Sequence, residues 1–149
     1  MKSSDTVNSV LSSKGRQVWS VAPTATVLEA IRAMSNKGVG ALLVMSHGRL
    51  DGIVSERDYA RKVILQDRSS KMTQVREIMT SPVVIVTPED SVEECMRLMT
   101  EHRIRHLPVL DRNVVVGIVS IGDLVNWIIT TQEETIGHLE GYIAGKYPG

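Results

Sequence analysis

The sequence predicts an α+β fold in which two strand-helix-strand-strand-helix units follow one another and pack about a pseudo-twofold axis. Three observations predict it: an internal repeat, a capping box ahead of each apolar helical stripe, and paired short runs of β-branched residues. Sliding the chain along itself by 65 residues aligns 21–58 with 86–123 without a gap, and 13 of the 38 pairs are identical. Chance would give about two at average residue usage. The identities include Pro23/Pro88, Val27/Val92, Glu29/Glu94, Met34/Met99, Val44/Val109, the run Gly52-Ile53-Val54-Ser55 against Gly117-Ile118-Val119-Ser120, and Asp58/Asp123. Self-similarity at a fixed offset outranks any finer reading of a chain.

Each unit opens with a short β-branched segment, 18–21 or 83–86, closed by a proline. Thr26-x-x-Glu29 and Ser91-x-x-Glu94 follow as capping boxes, in which hydroxyl and carboxylate satisfy orphan amides at a helix start. Apolar residues then recur at 27, 30, 31, 34 and at 92, 95, 96, 99, the spacing of one buried helical face, and Cys95 takes the place of Ala30 as a core thiol. Strands are expected over 41–45 and 50–54, joined by a turn at His47-Gly48, and over 107–110 and 114–119 in the second copy. A further helix starts at Ser55 or Ser120. The expected organisation is an N-terminal segment (1–16), a first repeat (17–65), a linker (66–80), a second repeat (81–130) and a helical tail (131–149). Ile136, Leu139, Tyr142 and Ile143 give that tail an apolar stripe, which docks on a partner subunit or on the module itself. Neither unit could cover its own sheet well; packed sheet to sheet, two of them bury their Val/Ile/Leu faces and leave matching clefts between them.

Composition narrows the functional classes. With 149 residues the chain can bury roughly 68–70% of its unfolded surface, enough for one compact body or two small units sharing a core. Its 17 basic and 17 acidic side chains cancel, so bulk charge supplies no field for a nucleic-acid backbone or an anionic membrane. Phe is absent and the five aromatics are scattered, which leaves no row of rings for unpaired bases to stack on. A lone cysteine excludes an internal disulfide and fits a reducing compartment. Residues 1–5 are polar with no apolar run behind them, and no stretch reaches the length of a membrane span, so the expected location is cytoplasmic. His102 and His106 stand four apart, but the stretch passes from helix into strand, and no metal site is expected. No nucleophile stands at motif spacing from a base, so the chain is not expected to be an enzyme and needs no catalytic cofactor.

The duplicated Gly-Ile-Val-Ser-x-x-Asp, the run Arg105-His106-Leu107-Pro108-Val109 and the element order resemble a tandem pair of cystathionine-β-synthase (CBS) domains, a Bateman module, over about residues 17–130. One Gly-x-x-Ser-x-x-Asp alone would be weak; its repetition at fixed offset makes the match specific. The resemblance implies a stand-alone regulatory module that pairs into a homodimer and controls an unidentified protein. It further implies an adenine nucleotide bound between the repeats, with AMP, ADP, ATP or NAD ahead of S-adenosylmethionine. The alternative is a ligand-free dimerisation or protein-interaction module.

Asp58 and Asp123 are the expected ribose ligands, since an ionised carboxylate accepts from two adjacent hydroxyls. Ser55 and Ser120 sit at helix starts, where free amides and the positive dipole end attract phosphate, and Gly52 and Gly117 are expected to let the backbone turn there. Ser-x-x-Asp is equally a helix cap. Arg57, Arg105 and His106 are the phosphate candidates. In the family resembled, basic residues ahead of the Leu-Pro-Val strand reach the ligand held by the other repeat's aspartate, which assigns Arg105 and His106 to the Asp58 cleft. The Asp123 cleft has Gly40 and Ala41 at the equivalent positions, and Ile121-Gly122 instead of Glu56-Arg57, so unequal occupancy is expected. Val21, Val84, Ile85, Ile104 and Pro108 are adenine contacts by the same resemblance and ordinary β-core by composition. Thr80 is a ligand contact or a turn residue.

Overall fold

Residues 5–143 are described in the computed structural model, those up to 132 with their side chains. The first repeat runs β1 (Ser20–Val21), α2 (Val27–Lys37), β2 (Ala41–Ser46), β3 (Arg49–Ser55) and α3 (Glu56–Lys62). The second runs α4 (Val92–His102), β4 (His106–Asp111), β5 (Val114–Ser120) and α5 (Ile121–Ile143). An eight-residue helix, α1 (Val7–Lys14), precedes both.

The two copies fold by the same local rules. Thr26 and Ser91 cap α2 and α4 by accepting from the amides of Glu29 and Glu94. Each hairpin is antiparallel and bulged at the same place, between Val44 and Met45 or between Val109 and Leu110. Its turn puts two residues at positive φ, His47-Gly48 or Arg112-Asn113, the conformation that matches the twist of paired strands. The segment ahead of each helix adds a parallel edge: β1 pairs with β2, whereas 83–86 contributes a single bridge, Val86 to Val109.

Among the described residues most buried apolar side chains fall in two clusters, one per repeat, and each is completed by the segment that precedes the other repeat. Val7, Val10 and Leu11 of α1 are buried with Val92, Cys95, Met99, Leu107, Val109, Val119 and Leu124 of the second repeat. Val75 and Ile78, from the linker, are buried with Val27, Ala30, Met34, Leu42, Val44 and Val54 of the first. The backbone bonds of the exchange match pair by pair. Val7 donates to Asp90 O, Asn8 to Pro88 O, and Val92 to Asp5 O; Val75 donates to Ala25 O, Arg76 to Pro23 O, and Val27 to Thr73 O. The pseudo-twofold relation therefore extends beyond the aligned repeats to the arms that lace them together.

The arms explain two glycines. Neither Gly52 nor Gly117 has a positive φ, so the expectation of a turn there is corrected: both lie within strands and make room for an arm. A Cβ on Gly52 would lie 2.7 Å from Met79 Sδ and 2.9 Å from Thr80 O, and one on Gly117 would lie 2.8 Å from both Leu11 methyl carbons.

The helix begun at Ser120 does not stop at 130: α5 continues through Ile143, so second repeat and tail share one helix. The apolar stripe expected at Ile136, Leu139, Tyr142 and Ile143 lies outside the residues whose side chains are described. Cys95 occupies the core position its register predicts; burial, helped by the nearby Asp90 and Glu94 carboxylates, pushes its thiol up to about 12.

Candidate functional site

Between the repeats lies a cleft of about 480 Å³, within the range of small-ligand pockets. One wall comes from the first repeat and the start of α3, with Gly40, Ile53, Ser55, Glu56, Arg57, Asp58, Arg61 and Lys62. The other comes from the linker end and the α4–β4 junction, with Thr80, Pro82, Val83, Val84, His102, Arg103, Ile104, Arg105 and His106. Eight of the residues expected at a ligand site meet here: Ser55, Arg57, Asp58, Thr80, Val84, Ile104, Arg105 and His106.

Asp58 sits at the third position of α3, where both readings of Ser-x-x-Asp are realised at once. Its Oδ2 accepts from the Ser55 amide at 2.9 Å and from Ser55 Oγ at 3.1 Å, while Ser55 Oγ accepts from the Asp58 amide at 3.2 Å, a reciprocal capping box. Oδ1 faces the cleft, 3.0 Å from Lys62 Nζ and 3.5 Å from the Thr80 hydroxyl that donates to it. Arg57 spans the gap between the repeats and donates to Arg103 O at 3.3 Å.

Five cationic side chains, Arg57, Arg61, Lys62, Arg103 and Arg105, face two carboxylates, Glu56 and Asp58, across this cleft. On a chain whose charges cancel overall, positive potential is gathered in this cleft. Sequence reasoning missed Arg61, Lys62 and Arg103. Lys62 could have been found from its i+4 spacing to Asp58. Arg103 caps α4 in the left-handed conformation, φ 55°, where the first repeat has Gly38 at φ 67°. A non-glycine there costs roughly 1 kcal/mol, and such outliers gather where a side chain is needed more than an unstrained backbone.

His106 opens β4 and lies against Gly40, whose Cβ position is 3.6 Å from His106 Cε1. Burial pushes its imidazolium down from the usual value near 6.5; Asp123 pulls the other way, and Lys14 and Arg105 push it further down. The ring is therefore neutral at neutral pH. An unfolded chain takes up that proton more readily than the folded one, so unfolding free energy falls as pH drops below about 6.5. Denaturant titrations from pH 7.5 to 5 should show a shallower loss for His106→Gln than for the unsubstituted protein. Identical slopes would count against this account of the buried ring.

The second aspartate is held differently. Asp123 Oδ2 accepts from the Ser120 amide at 2.8 Å, and Ser120 Oγ accepts from the Asp123 amide at 3.1 Å, but Lys14 of α1 forms a 2.7 Å ion pair with the same Oδ2. Gly122 lies beside Ser120, its Cβ position 3.7 Å from Ser120 Oγ. Three expected adenine contacts are not on the wall of the Asp58 cleft. Val21 packs against the first buried cluster, Pro108 is buried in β4, and Ile85 faces a separate depression with Arg49, Asp51 and Leu110. Among the described residues no group of three or more His, Cys, Asp or Glu side chains is placed to hold a metal, and no helix is long and apolar enough to cross a membrane.

Comparison with known proteins gives a consistent result. The family model for the CBS domain matches twice, over residues 10–65 and 75–130. Both matches begin inside the exchanged arms. The CBS domain-containing protein CBSX3, mitochondrial, of Arabidopsis thaliana is 43% identical over 153 residues, covering 97% of this chain and 74% of its own. A solved CBS-domain protein from Burkholderia ambifaria MC40-6 is 54% identical, with a TM-score of 0.83 over 85% of this chain and 96% of that one. The CBS domain pair of protein MJ0100, solved in complex with 5′-methylthioadenosine and S-adenosyl-L-methionine, shares the fold at 24% identity and a TM-score of 0.75, over 85% of this chain and 97% of that one.

Proposed function

The chain belongs to the CBS-domain family, whose paired domains are regulatory, signal-transduction modules, and from that premise we propose that it senses an adenine nucleotide in the Asp58 cleft without transforming it. One observation carries the reading: five cations and an inward-facing carboxylate oxygen gathered in a cleft of about 480 Å³ between two repeats of a chain with no net charge. Arg57 and Arg105 grip phosphate, guanidinium being suited to bidentate contact. Asp58 exchanges its Lys62 and Thr80 partners for ribose hydroxyls, and Ile53, Val83, Val84 and Ile104 supply apolar wall for the base. The excess of positive charge favours anionic ligands, so AMP, ADP, ATP and NAD rank ahead of S-adenosylmethionine, whose sulfonium adds a cation. We also take the module to be a homodimer in an aqueous, reducing compartment, the cytoplasm first, with Val125 and Ile129 exposed on α5 for the partner to cover.

Thermal shift and calorimetry with AMP, ADP, ATP, NAD, adenosine and S-adenosylmethionine test this. A ligand at a hundredfold excess over its dissociation constant stabilises by about 2.7 kcal/mol, a readily measured shift. Asp58→Ala should weaken AMP binding about 10-fold or more, since a hydrogen bond to a charged group is worth about 1.5–3 kcal/mol. One observation favours the second reading, a ligand-free interaction module: both Asp58 oxygens already have partners within the protein. Silence across the whole panel would establish it.

A further inference from the structure

The two arms differ where they reach Asp58 and Asp123. Val7 and Val75 hold equivalent places in the exchange, yet the chain from Val7 to Pro23 is three residues longer than that from Val75 to Pro88. The extra length is spent as helix: α1 runs to Lys14, while its counterpart is a 3-10 turn, Val75–Glu77. In the first cleft the linker comes out of its turn at Thr80, whose amide donates to Ile53 O at 2.8 Å and whose hydroxyl lies 3.5 Å from Asp58 Oδ1. Ile118 and Asp123 are the same two positions in the second repeat. There a single group bonds both residues: Lys14 Nζ donates to Ile118 O at 2.8 Å and to Asp123 Oδ2, the oxygen that also caps α5, at 2.7 Å.

We propose that Lys14 is a built-in partner of Asp123, a specificity-determining residue that denies this carboxylate to a nucleotide ribose and leaves the Asp58 cleft open to ligand. A hydroxyl 3.5 Å away yields its place to a ribose readily. An ammonium shared between the Asp123 carboxylate and a carbonyl offsets the charge that would draw a ribose donor and crowds the approach to that carboxylate. Asp58 carries a lysine too, but Lys62 comes from its own helix at i+4, and its second bond goes to Ile78 O, away from Ile53. Lys14 is fixed from elsewhere, since Val10 and Leu11 on the same helix are buried in the second core and the last turn of α1 ends in the ion pair.

The inference rests on the reading of Asp58 and Asp123 as nucleotide carboxylates, and calorimetric stoichiometry separates the two. AMP is titrated into the full chain, into Lys14→Met, which keeps the apolar stem, and into Lys14→Met/Asp123→Asn, whose amide can still cap α5. The expected result is one AMP per chain for the unsubstituted protein, two for Lys14→Met, and one again for the double variant. No AMP for the unsubstituted protein with one for Lys14→Met, lost again in the double variant, would keep the lock and sink the Asp58 reading. Two for the unsubstituted protein, an unchanged number in Lys14→Met, or weaker binding in Lys14→Met would overturn the lock, the last by making Lys14 a phosphate ligand. Lys14→Gln replaces Lys14→Met if the latter fails to fold. Acetylation of the unsubstituted protein gives a readout that needs no nucleotide: Lys14 should react several-fold more slowly than in Asp123→Asn, and equal rates would overturn the proposal.

Discussion

Leu11→Ala, a substitution outside the aligned repeats, is expected to destabilise the protein by about 2–5 kcal/mol, the cost of truncating a buried leucine where the surroundings collapse only in part. For a chain of this size that is roughly 4–20 °C in melting temperature, and a large share of the 5–15 kcal/mol that holds an ordinary domain together. Leu11 is fully buried, and its methyl groups press on the strand β5 at Gly117. The same contact predicts a rescue. Gly117→Ala alone overpacks the site, because a Cβ there meets both Leu11 methyl carbons at 2.8 Å, and should cost about 1–3 kcal/mol. Combined with Leu11→Ala it fills vacated space, so the two changes should be strongly non-additive, by about 0.5–3 kcal/mol. Denaturant unfolding of the four proteins in the cycle checks this; additive losses would mean that α1 does not pack as described.

That arm shows where sequence reasoning stops. Thr6 followed by Val7, Val10 and Leu11 is a cap and an apolar stripe as plain as those at Thr26 and Ser91, and the Thr6 side chain does accept from the Ser9 amide. The expected N-terminal segment (1–16) did not include this helix although its spacing offers one, and the core it joins had no signal at all, because periodicity reports which face is buried and nothing about which neighbour buries it. The same gap explains the glycines. The motif marks Gly52 and Gly117 as special, but their reason lies in Met79 and Leu11, residues remote in the chain that only the exchange brings near. Within one repeat the hairpins, the helical faces and Cys95 follow from spacing, while Thr26 and Ser91 supply only the hydroxyl half of the expected capping boxes, the Glu94 carboxylate pairing with Arg97, and the expected strand at 83–86 is reduced to one bridge at Val86. The candidate site divides along the same line. Asp58, Ser55, Arg105 and His106 meet where the motif and the family resemblance put them. Lys14 on Asp123 pairs residues 109 positions apart, with no spacing to announce it. Arg103 was hidden for another reason, since a left-handed cap is expected to be glycine, as at Gly38, and arginine there reads as an ordinary surface residue.

The cleft's cations lead to the sharpest expectation about the ligand. Arg105→Ala should weaken AMP binding about 10- to 150-fold and leave adenosine binding almost unchanged. The range follows from about 1.5–3 kcal/mol for a charge-assisted hydrogen bond, with each 1.4 kcal/mol a factor of ten. Arg105 is held in place by backbone: its carbonyl accepts from the Ile121 amide at 2.8 Å, and the next residue, His106, pairs with Ser120 across the hairpin. Removing the guanidinium should therefore leave the strand where it is and subtract only charge and donors. Arg105→Lys keeps the charge but not the planar fork, so it should recover part of the loss. With one phosphate contact gone, AMP affinity should also depend less steeply on salt, because exposed charges are the ones screening weakens. The first repeat has Gly40 at the equivalent position, without a side chain to hold a phosphate near Asp123, so the test reports on the Asp58 cleft alone. Calorimetry with AMP and adenosine side by side decides it. Equal losses for the two would mean that Arg105 shapes the cleft instead of holding a phosphate, and the assignment of an anionic ligand would fall with it.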